Sequence, residues 1–463
     1  MKMFAVLPVM ALAWAAIGSE SRAAGVLMLS DRFDGSSERF RSQLSRSVAE
    51  AGIALQEIEG VGLAAALRAA VRPGTILLLP DARCFPADAK QELDAFLKRG
   101  NHLLAVSGPP LGKLVVRSGN EWLTREQAKA GLARAHGEPI IDFAAEDLTR
   151  WRRISGAQDN PAAFRAVESG SPEVPHALDV SISRLDNWDT IVSPPLDTPF
   201  PQGHNVTTLW AKGGPDTPEL VIEWREKDGC RWMAVIGLTT RWARYALTPD
   251  DFRYWSDNPA LGRGKPGDRF NPANAEVISF AVASGISSQK LGIAHSYQVS
   301  DVRAVKDPFA DVDFSPPILE SLSPTYKTYG TFADAVEPAA GGERTAAGTQ
   351  VVCALPRSPG FGSNALRNQR YITVLRALGK SGEPRGAAAH ILLNSGGEYA
   401  GSVWGYIGFR QDFLEDAPER AAEPAALMLR RMTQGVFLAN AGSEHFAYSS
   451  GEQVELGAFA LNL

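Results

Sequence analysis

The chain has 463 residues, a formal net charge of −5 and 44% hydrophobic residues, a globular composition long enough for two or three hydrophobic cores. This acidic balance argues against non-specific binding to nucleic acid, which requires clustered basic charge. The three cysteines are Cys84, Cys230 and Cys353, far apart in the sequence. Because they include no Cys-x-x-Cys pair, we expect neither a cysteine-based zinc site nor a disulfide-rich scaffold.

The first 24 residues have the order of a secretory signal peptide. Lys2 supplies a positive charge, residues 4–17 are nearly all apolar, and small residues surround Ala23 and Ala24. We therefore expect cleavage near Ala23 or Ala24 and a mature protein that is secreted or periplasmic. No later apolar run reaches the roughly 18 residues that a membrane-spanning helix needs.

Residues 25–137 alternate between apolar strands and amphipathic helices. Three strands are almost wholly apolar, at 26–29, 75–79 and 102–106. The first helix repeats an apolar side chain at every fourth position, at Phe40, Leu44 and Val48. Continuous apolar strands separated by such helices predict a parallel sheet covered on both faces, as in a flavodoxin-like α/β domain.

Part of this region resembles the class I glutamine amidotransferase-like fold, on the strand TILLLP, the helix ADAKQELDAFLKRG and the strand and turn HLLAVSGPP. In that family a nucleophilic cysteine occupies the turn after the last strand, where this chain has Ser107 followed by Pro109 and Pro110. Prolines oppose a tight strand-to-helix elbow, and no useful His-x-Glu pair follows. The resemblance implies a catalytically inactive scaffold, like the middle domain of some β-galactosidases, and Ser107 is not expected to act as a nucleophile.

Residues 138–330 have a different pattern, in which helical periodicity fades and short alternating strands are separated by turn signals. Six of the ten tryptophans lie between Trp188 and Trp255. Asp228-Gly229 between two such strands predicts a β-hairpin. The region is therefore predicted to be an antiparallel β-sandwich.

The phrase CRWMAVIGLTTRWARYALTPDDFRYW, followed by GDRFNPANAEVISFAVA, resembles the galactose-binding-like jelly roll of carbohydrate-binding modules. The residues that carry the resemblance are Trp242, Tyr245, Pro249, Phe252, Asn271, Pro272, Ile278 and Phe280. The resemblance implies a jelly-roll domain of the kind found in secreted multidomain glycoside hydrolase-type proteins.

The loop FRYWSDN is the candidate saccharide site, because it gathers Tyr254, Trp255, Asp257 and Asn258. Aromatic rings offer a rigid apolar face to the C–H groups of a sugar, and amides and carboxylates bind its hydroxyls. The alternative is that these rings belong to the sandwich core.

Oxygen-bearing side chains around this loop are the candidate ligands of a structural calcium ion: Asp250, Asp251, Asp268 and Asn271. The alternative is that they are solvated residues with turn-forming roles. No other cofactor is expected.

The C-terminal part begins with a Gly-rich stretch, 331–349, that is predicted to be a linker. Residues 350–463 are predicted to form an α/β segment, with a helix around 425–434, that could complete the first domain. Glu398 and Glu444 lie in Gly- and aromatic-rich turns, and they are the candidates for the two carboxylates that a glycosidase needs. The alternative is that both are solvated turn residues.

Together these patterns predict an exported carbohydrate-associated protein. It would bind an oligo- or polysaccharide through the jelly roll, next to an amidotransferase-like scaffold without activity. Two alternatives remain open: a glycoside hydrolase or a fragment of one, and a structural or interaction protein of the cell envelope.

Overall fold

The structure is a computed structural model that describes residues 25–171, 173–255, 262–317, 326–356, 369–443, 450–451 and 456–462. The chain divides into two compact units. Unit 1 combines Met1–Thr124 with Asp313–Leu463, and unit 2 is Arg125–Val312. The predicted signal peptide, residues 1–24, lies outside the described residues.

The helices and strands follow in chain order. The N-terminal part of unit 1 has β1 (Val26–Leu29), α1 (Glu38–Glu50), β2 (Leu55–Ile58), α2 (Gly60–Ala69), β3 (Ile76–Leu79), β4 (Cys84–Pro86), α3 (Lys90–Lys98), β5 (His102–Val106), β6 (Lys113–Ser118) and β7 (Glu121–Thr124). Unit 2 has α4 (Arg125–Leu132), β8 (Glu138–Ile141), β9 (Arg152–Ser155), β10 (Ala162–Ser171), β11 (Val174–Ile182), β12 (Trp188–Val192), β13 (Val206–Gly213), β14 (Glu219–Glu226), β15 (Arg231–Gly237), β16 (Ala243–Leu247), β17 (Arg253–Tyr254), β18 (Ala275–Ala283) and β19 (His295–Val305). The C-terminal part of unit 1 has β20 (Tyr326–Pro338), β21 (Thr345–Pro356), β22 (Gln369–Leu378), β23 (Pro384–Asn394), β24 (Val403–Ile407), α5 (Gln411–Asp416), α6 (Glu419–Gln434), β25 (Val436–Ser443) and β26 (Leu456–Asn462).

Unit 1 is built on a sheet whose described strands have the order β2-β1-β3-β5-β24-β23-β21-β20-β22. The strands from β2 to β24 are parallel. The strands from β23 onwards are antiparallel to their neighbours. The sheet is therefore mixed, whereas the sequence predicts a parallel one, because the C-terminal part of the chain adds strands that are joined by hairpins. Since β24 pairs with β5, both parts of unit 1 share one sheet.

Helices cover both faces of the parallel strands. The stripe Phe40, Leu44 and Val48 of α1 is buried with Met28 of β1 and with residues of α6. The other face is covered by α2 and α3, which contribute to a second apolar cluster. The Ser37 hydroxyl caps α1, because its Oγ accepts a hydrogen bond from the Phe40 N–H at 3.0 Å.

Residues 331–349 are not a linker, because they form most of the β20–β21 hairpin. Antiparallel pairing joins Thr331 to Val351 and Ala333 to Thr349. Gly341 and Gly342 lie between the two strands with φ angles of 90° and 154°, which other residues rarely adopt. The Gly-rich composition therefore belongs to a hairpin turn. Unit 2 also differs from its expected limits, since it begins at Arg125 and ends at Val312.

Unit 2 is a β-sandwich, as the sequence predicts. One described sheet has the order β10-β11-β19-β13-β16, with β8 also beside β19, and the other has the order β17-β15-β14-β18-β12-β9. One core is filled from both sheets, by residues such as Trp224 and Phe280 on one side and Tyr297 on the other. The hairpin predicted at Asp228-Gly229 is confirmed, because it joins the antiparallel strands β14 and β15.

Candidate functional site

A groove of about 630 Å³ runs over the outer face of the β17–β9 sheet of unit 2. The alternation of side chains along each strand determines which residues face the groove. On β14, Ile222 and Trp224 point into the core, whereas Val221, Glu223 and Arg225 line the groove. The groove is thus a surface of the sandwich itself, and the regular hydrogen bonding of six strands holds it in place.

The groove is concave because side-chain size varies across the sheet. The inner strand β18 presents small or short residues to this face, namely Val277, Ser279, Ala281 and Ala283. Larger side chains lie on the strands to either side: Trp188 on β12, Glu223 on β14 and Arg231 on β15. Small side chains between larger ones produce a trough, which we call the outer trough.

Two tryptophans, Trp188 and Trp255, line the outer trough. Both are half-buried and pack against one small apolar cluster formed by Val221, Met233, Ala281 and Ala283. Trp188 lies on β12, and Trp255 directly follows β17, where its N–H donates to the Arg231 carbonyl at 2.9 Å. The packing therefore holds both rings while leaving part of each open to solvent.

Fixed polar groups accompany these rings. The Arg231 guanidinium donates two hydrogen bonds to the Glu223 carboxylate, both at 2.7 Å, and this pairing raises the pKa of Arg231. Such bidentate pairing orients both groups. Arg225 lies 3.9 Å from the Glu276 carboxylate, and Arg152 is an exposed side chain at the end of the trough formed by β9. The trough can therefore offer both an acceptor and several donors to a polar ligand.

The structure separates the residues of the predicted saccharide loop. Trp255 lines the outer trough, whereas Tyr254 lies on the core side of the sheet. The Tyr254 ring meets Trp232 edge-on, with ring centroids 5.4 Å apart, and burial raises the pKa of its phenol. Asp257 and Asn258 lie outside the described residues.

Two of the four predicted calcium ligands, Asp250 and Asp251, lie in a single helical turn after Thr248. The Asp251 carboxylate accepts hydrogen bonds from the Thr248 N–H at 2.7 Å and from Lys129 Nζ at 2.5 Å. Asp250 points towards solvent, 3.9 Å from Arg269. Asp251 therefore has a structural role as a helix cap and ion-pair partner.

The other two candidates, Asp268 and Asn271, also have partners within the chain. Asp268 accepts from Arg263 Nε at 2.9 Å and from the Gly264 N–H at 2.8 Å, and Arg263 lowers the pKa of its carboxyl. The Asn271 side chain accepts from the Ala273 N–H at 3.2 Å. Across the described residues, no group of three or more His, Cys, Asp or Glu side chains is placed to hold a metal ion.

In unit 1 the structure describes two of the three residues considered for catalysis, Ser107 and Glu398. Ser107 is fully buried, and within the described residues its hydroxyl has no hydrogen-bond partner. Glu398 is exposed and its carboxylate pairs with Lys98 Nζ at 2.5 Å. Glu444 lies outside the described residues, so the pairing of the two glutamates stays a prediction.

Sequence reasoning identified Trp255 but missed Trp188, Glu223, Arg231 and Arg152 as trough residues. One signal was present, because alternate positions of β18 carry the small residues Ser279, Ala281 and Ala283. Only the order of the strands shows that these positions lie between strands with larger side chains.

No protein-family model matches the chain, and no curated protein matches it. Among solved structures it is similar to the family 11 carbohydrate-binding module of the cellulosomal cellulase Lic26A-Cel5E of Clostridium thermocellum, at 15% identity over 37% of this chain and 96% of that chain, with a TM-score of 0.29. It is also similar to the CBM22-1 xylan-binding domain from Paenibacillus barcinonensis Xyn10C, at 11% identity over 37% of this chain and 96% of that chain, with a TM-score of 0.23. An exo-β-agarase matches at 11% identity over 38% of this chain and 26% of that chain, with a TM-score of 0.24. At such TM-scores the similarities carry no argument about function.

Among the described residues, no helix combines the length and the hydropathy that crossing a bilayer requires.

Proposed function

We propose that unit 2 binds an oligo- or polysaccharide in the outer trough. The observation that supports this proposal is the combination of two half-buried tryptophans with fixed polar groups along one open groove. A sugar ring presents C–H groups on its faces and hydroxyls on its rim. The exposed parts of Trp188 and Trp255 suit the former, and Glu223 and Arg231 suit the latter.

The side chains of the trough are already held in place without a ligand. This favours binding of a saccharide, which offers little apolar surface. Trp188 and Trp255 are held by their contacts with Val221 and Met233, and Arg231 is held by Glu223. Ordering side chains on binding costs about 0.5–1.5 kcal/mol for each flexible side chain. Because these side chains are already packed or paired, most of that cost is avoided.

Unit 1 in this proposal is a catalytically inactive scaffold of the amidotransferase-like type, and the protein functions outside the cytoplasm. Its parallel strands β2-β1-β3-β5 carry helices on both faces, as a flavodoxin-like arrangement requires. The buried position of Ser107 supports the absence of nucleophilic activity. The charged, apolar and small-residue order of residues 1–24 supports export.

Affinity electrophoresis tests the proposal with the full chain. Native gels would contain mixed-linkage β-glucan, xylan, galactan or polygalacturonate, and the wild type would be compared with Trp188→Ala and Trp255→Ala. The matched control is Trp210→Ala, because Trp210 is a half-buried tryptophan on β13 of the opposite sheet.

We expect at least one polysaccharide to retard the wild type and the Trp210→Ala variant, and retardation to be lost in the two trough variants. The proposal fails if no polysaccharide retards the wild type, or if Trp210→Ala loses retardation as the trough variants do. An assay for released reducing ends on the polysaccharide that binds tests the hydrolase alternative.

A further inference from the structure

We propose that the saccharide held in the outer trough is anionic, carrying carboxylate or sulfate groups. This inference rests on the proposed function and adds the chemical class of the ligand. It is drawn from the charges that the sheet places along the trough.

One row of laterally paired residues crosses all six strands of the sheet. In order it contains Arg152, Val192, Ser279, Glu223, Met233 and Arg253. The row therefore has an arginine at each end. Five inter-strand spacings of about 4.8 Å place the two backbone positions roughly 24 Å apart.

The two end arginines are available to a ligand. Both side chains are exposed, and within the described residues neither has an acidic partner within ion-pair distance. By contrast, the acid in the middle of the row, Glu223, is already neutralised by its two hydrogen bonds to Arg231. The row thus carries unmatched positive charge at both ends.

The lining of the trough, which includes Arg152 but not Arg253, has the same bias. Three arginines line it, Arg152, Arg225 and Arg231, against one glutamate, Glu223. Arg225 forms an ion pair with Glu276 at 3.9 Å, beyond hydrogen-bond distance, so the charge without an acidic partner lies mainly on the two end arginines. This local excess of positive charge stands out in a chain whose formal net charge is −5. Since guanidinium groups bind carboxylate and sulfate oxygens in a bidentate manner, the trough favours a polymer that carries such groups at intervals.

The test compares pairs of polymers that differ in charge but share a backbone. Polygalacturonate is compared with its methyl ester, and dextran sulfate with dextran, by affinity electrophoresis or calorimetry at low and at high NaCl concentration. The first pair tests carboxylate and the second tests sulfate. The variants are Arg152→Gln and Arg253→Gln, and the control is Arg165→Gln, an exposed arginine of β10 on the other sheet.

We expect one charged polymer to bind about tenfold more tightly than its neutral partner, with a preference that decreases as salt rises. Arg152→Gln and Arg253→Gln should each reduce that preference, and Arg165→Gln should preserve it. If the neutral polymers bind as tightly as the charged ones and this binding depends on Trp255, the ligand is not specifically anionic. The proposed function would then still stand. If Arg165→Gln reduces the preference as much as Arg152→Gln does, the preference comes from general surface charge. That result would also overturn the inference. If none of these four polymers binds, the anionic ligand is overturned, and retardation of the wild type by mixed-linkage β-glucan, xylan or galactan then decides whether the proposed function stands.

Discussion

Tyr254 and Trp255 are consecutive residues that lie on opposite faces of one sheet. The Tyr254 ring is part of the sandwich interior, 5.4 Å from Trp232, whereas Trp255 contacts the apolar cluster beneath the outer trough. Because successive side chains of a strand point to opposite faces of the sheet, these neighbours have different roles. Tyr254 supports the fold, and Trp255 faces solvent.

Alanine substitution should separate these two roles. Tyr254→Ala should lower the free energy of unfolding by about 3 kcal/mol, because it leaves a cavity beside Trp232. Trp255→Ala should change it by less than Tyr254→Ala but weaken saccharide binding by about 2 kcal/mol, roughly thirtyfold. Urea unfolding and a binding titration of both variants provide the comparison. Equal effects of the two variants on both quantities would contradict the assignment.

Filling the trough should prevent binding without disturbing the core. Ser279→Phe would place a large ring over the middle of the trough, while the core side of β18 keeps Ile278 and Phe280. We expect loss of saccharide binding with a melting temperature within a few degrees of the wild type. Ser279→Ala removes the hydroxyl without adding volume, so it is the control that should retain binding. Retained binding in Ser279→Phe would place the ligand elsewhere.

Arg263 should be important for the stability of unit 2. Glu226 is fully buried, and its carboxylate accepts from Arg263 Nη1 at 2.9 Å and from the Asn271 N–H at 2.8 Å. Arg263→Ala would leave this buried charge without its cation, at a cost of about 3–5 kcal/mol. Arg269→Ala is the matched control, because Arg269 is exposed and lies 3.9 Å from Asp250. Similar melting temperatures for the two variants would show that the pairing of Glu226 contributes little.

Acid should destabilise unit 1 through His102. This side chain is 1% exposed, and desolvation lowers its pKa from 6.5 to about 4. Below pH 6.5 the unfolded chain takes up a proton that the folded state excludes. His102 therefore does not reduce the free energy of unfolding above about pH 6.5. As the pH falls towards 4, this histidine lowers that free energy by roughly 3 kcal/mol.

His102→Gln should reduce this loss. The free energy of unfolding in urea, measured at pH 7 and pH 4.5, should fall less between the two values in His102→Gln than in the wild type. His136→Gln removes an exposed histidine and should retain the wild-type difference. An unchanged difference in His102→Gln would exclude this histidine as the cause.

Much of the fold could be predicted from the sequence because its signals are local. The stripe Phe40, Leu44 and Val48 specifies α1, and Asp228-Gly229 specifies the turn between β14 and β15. The hairpin at 331–349 could not be predicted in this way. Its small residues have low strand propensity, and its two strands also pair with β22 and β23, which come later in the sequence.

The outer trough shows a similar limit. Trp255 could be identified as a candidate because it lies in a loop rich in aromatic and polar residues. Trp188, 67 positions earlier, joins it only because β12 and β17 belong to one sheet. Whether two such tryptophans share a face depends on the order of the strands in the sheet. That order cannot be predicted from the spacing of residues along the chain.

The shared sheet of unit 1 has a consequence for biosynthesis. β5 ends at Val106, and β24, its parallel neighbour, begins at Val403, so all of unit 2 is synthesised between them. A ribosome therefore completes the contiguous sandwich before β5 can acquire its partner. Until then β5 is an unpaired apolar edge, the kind of surface that favours aggregation. This edge of β5 therefore waits for its partner for as long as it takes to add almost three hundred residues.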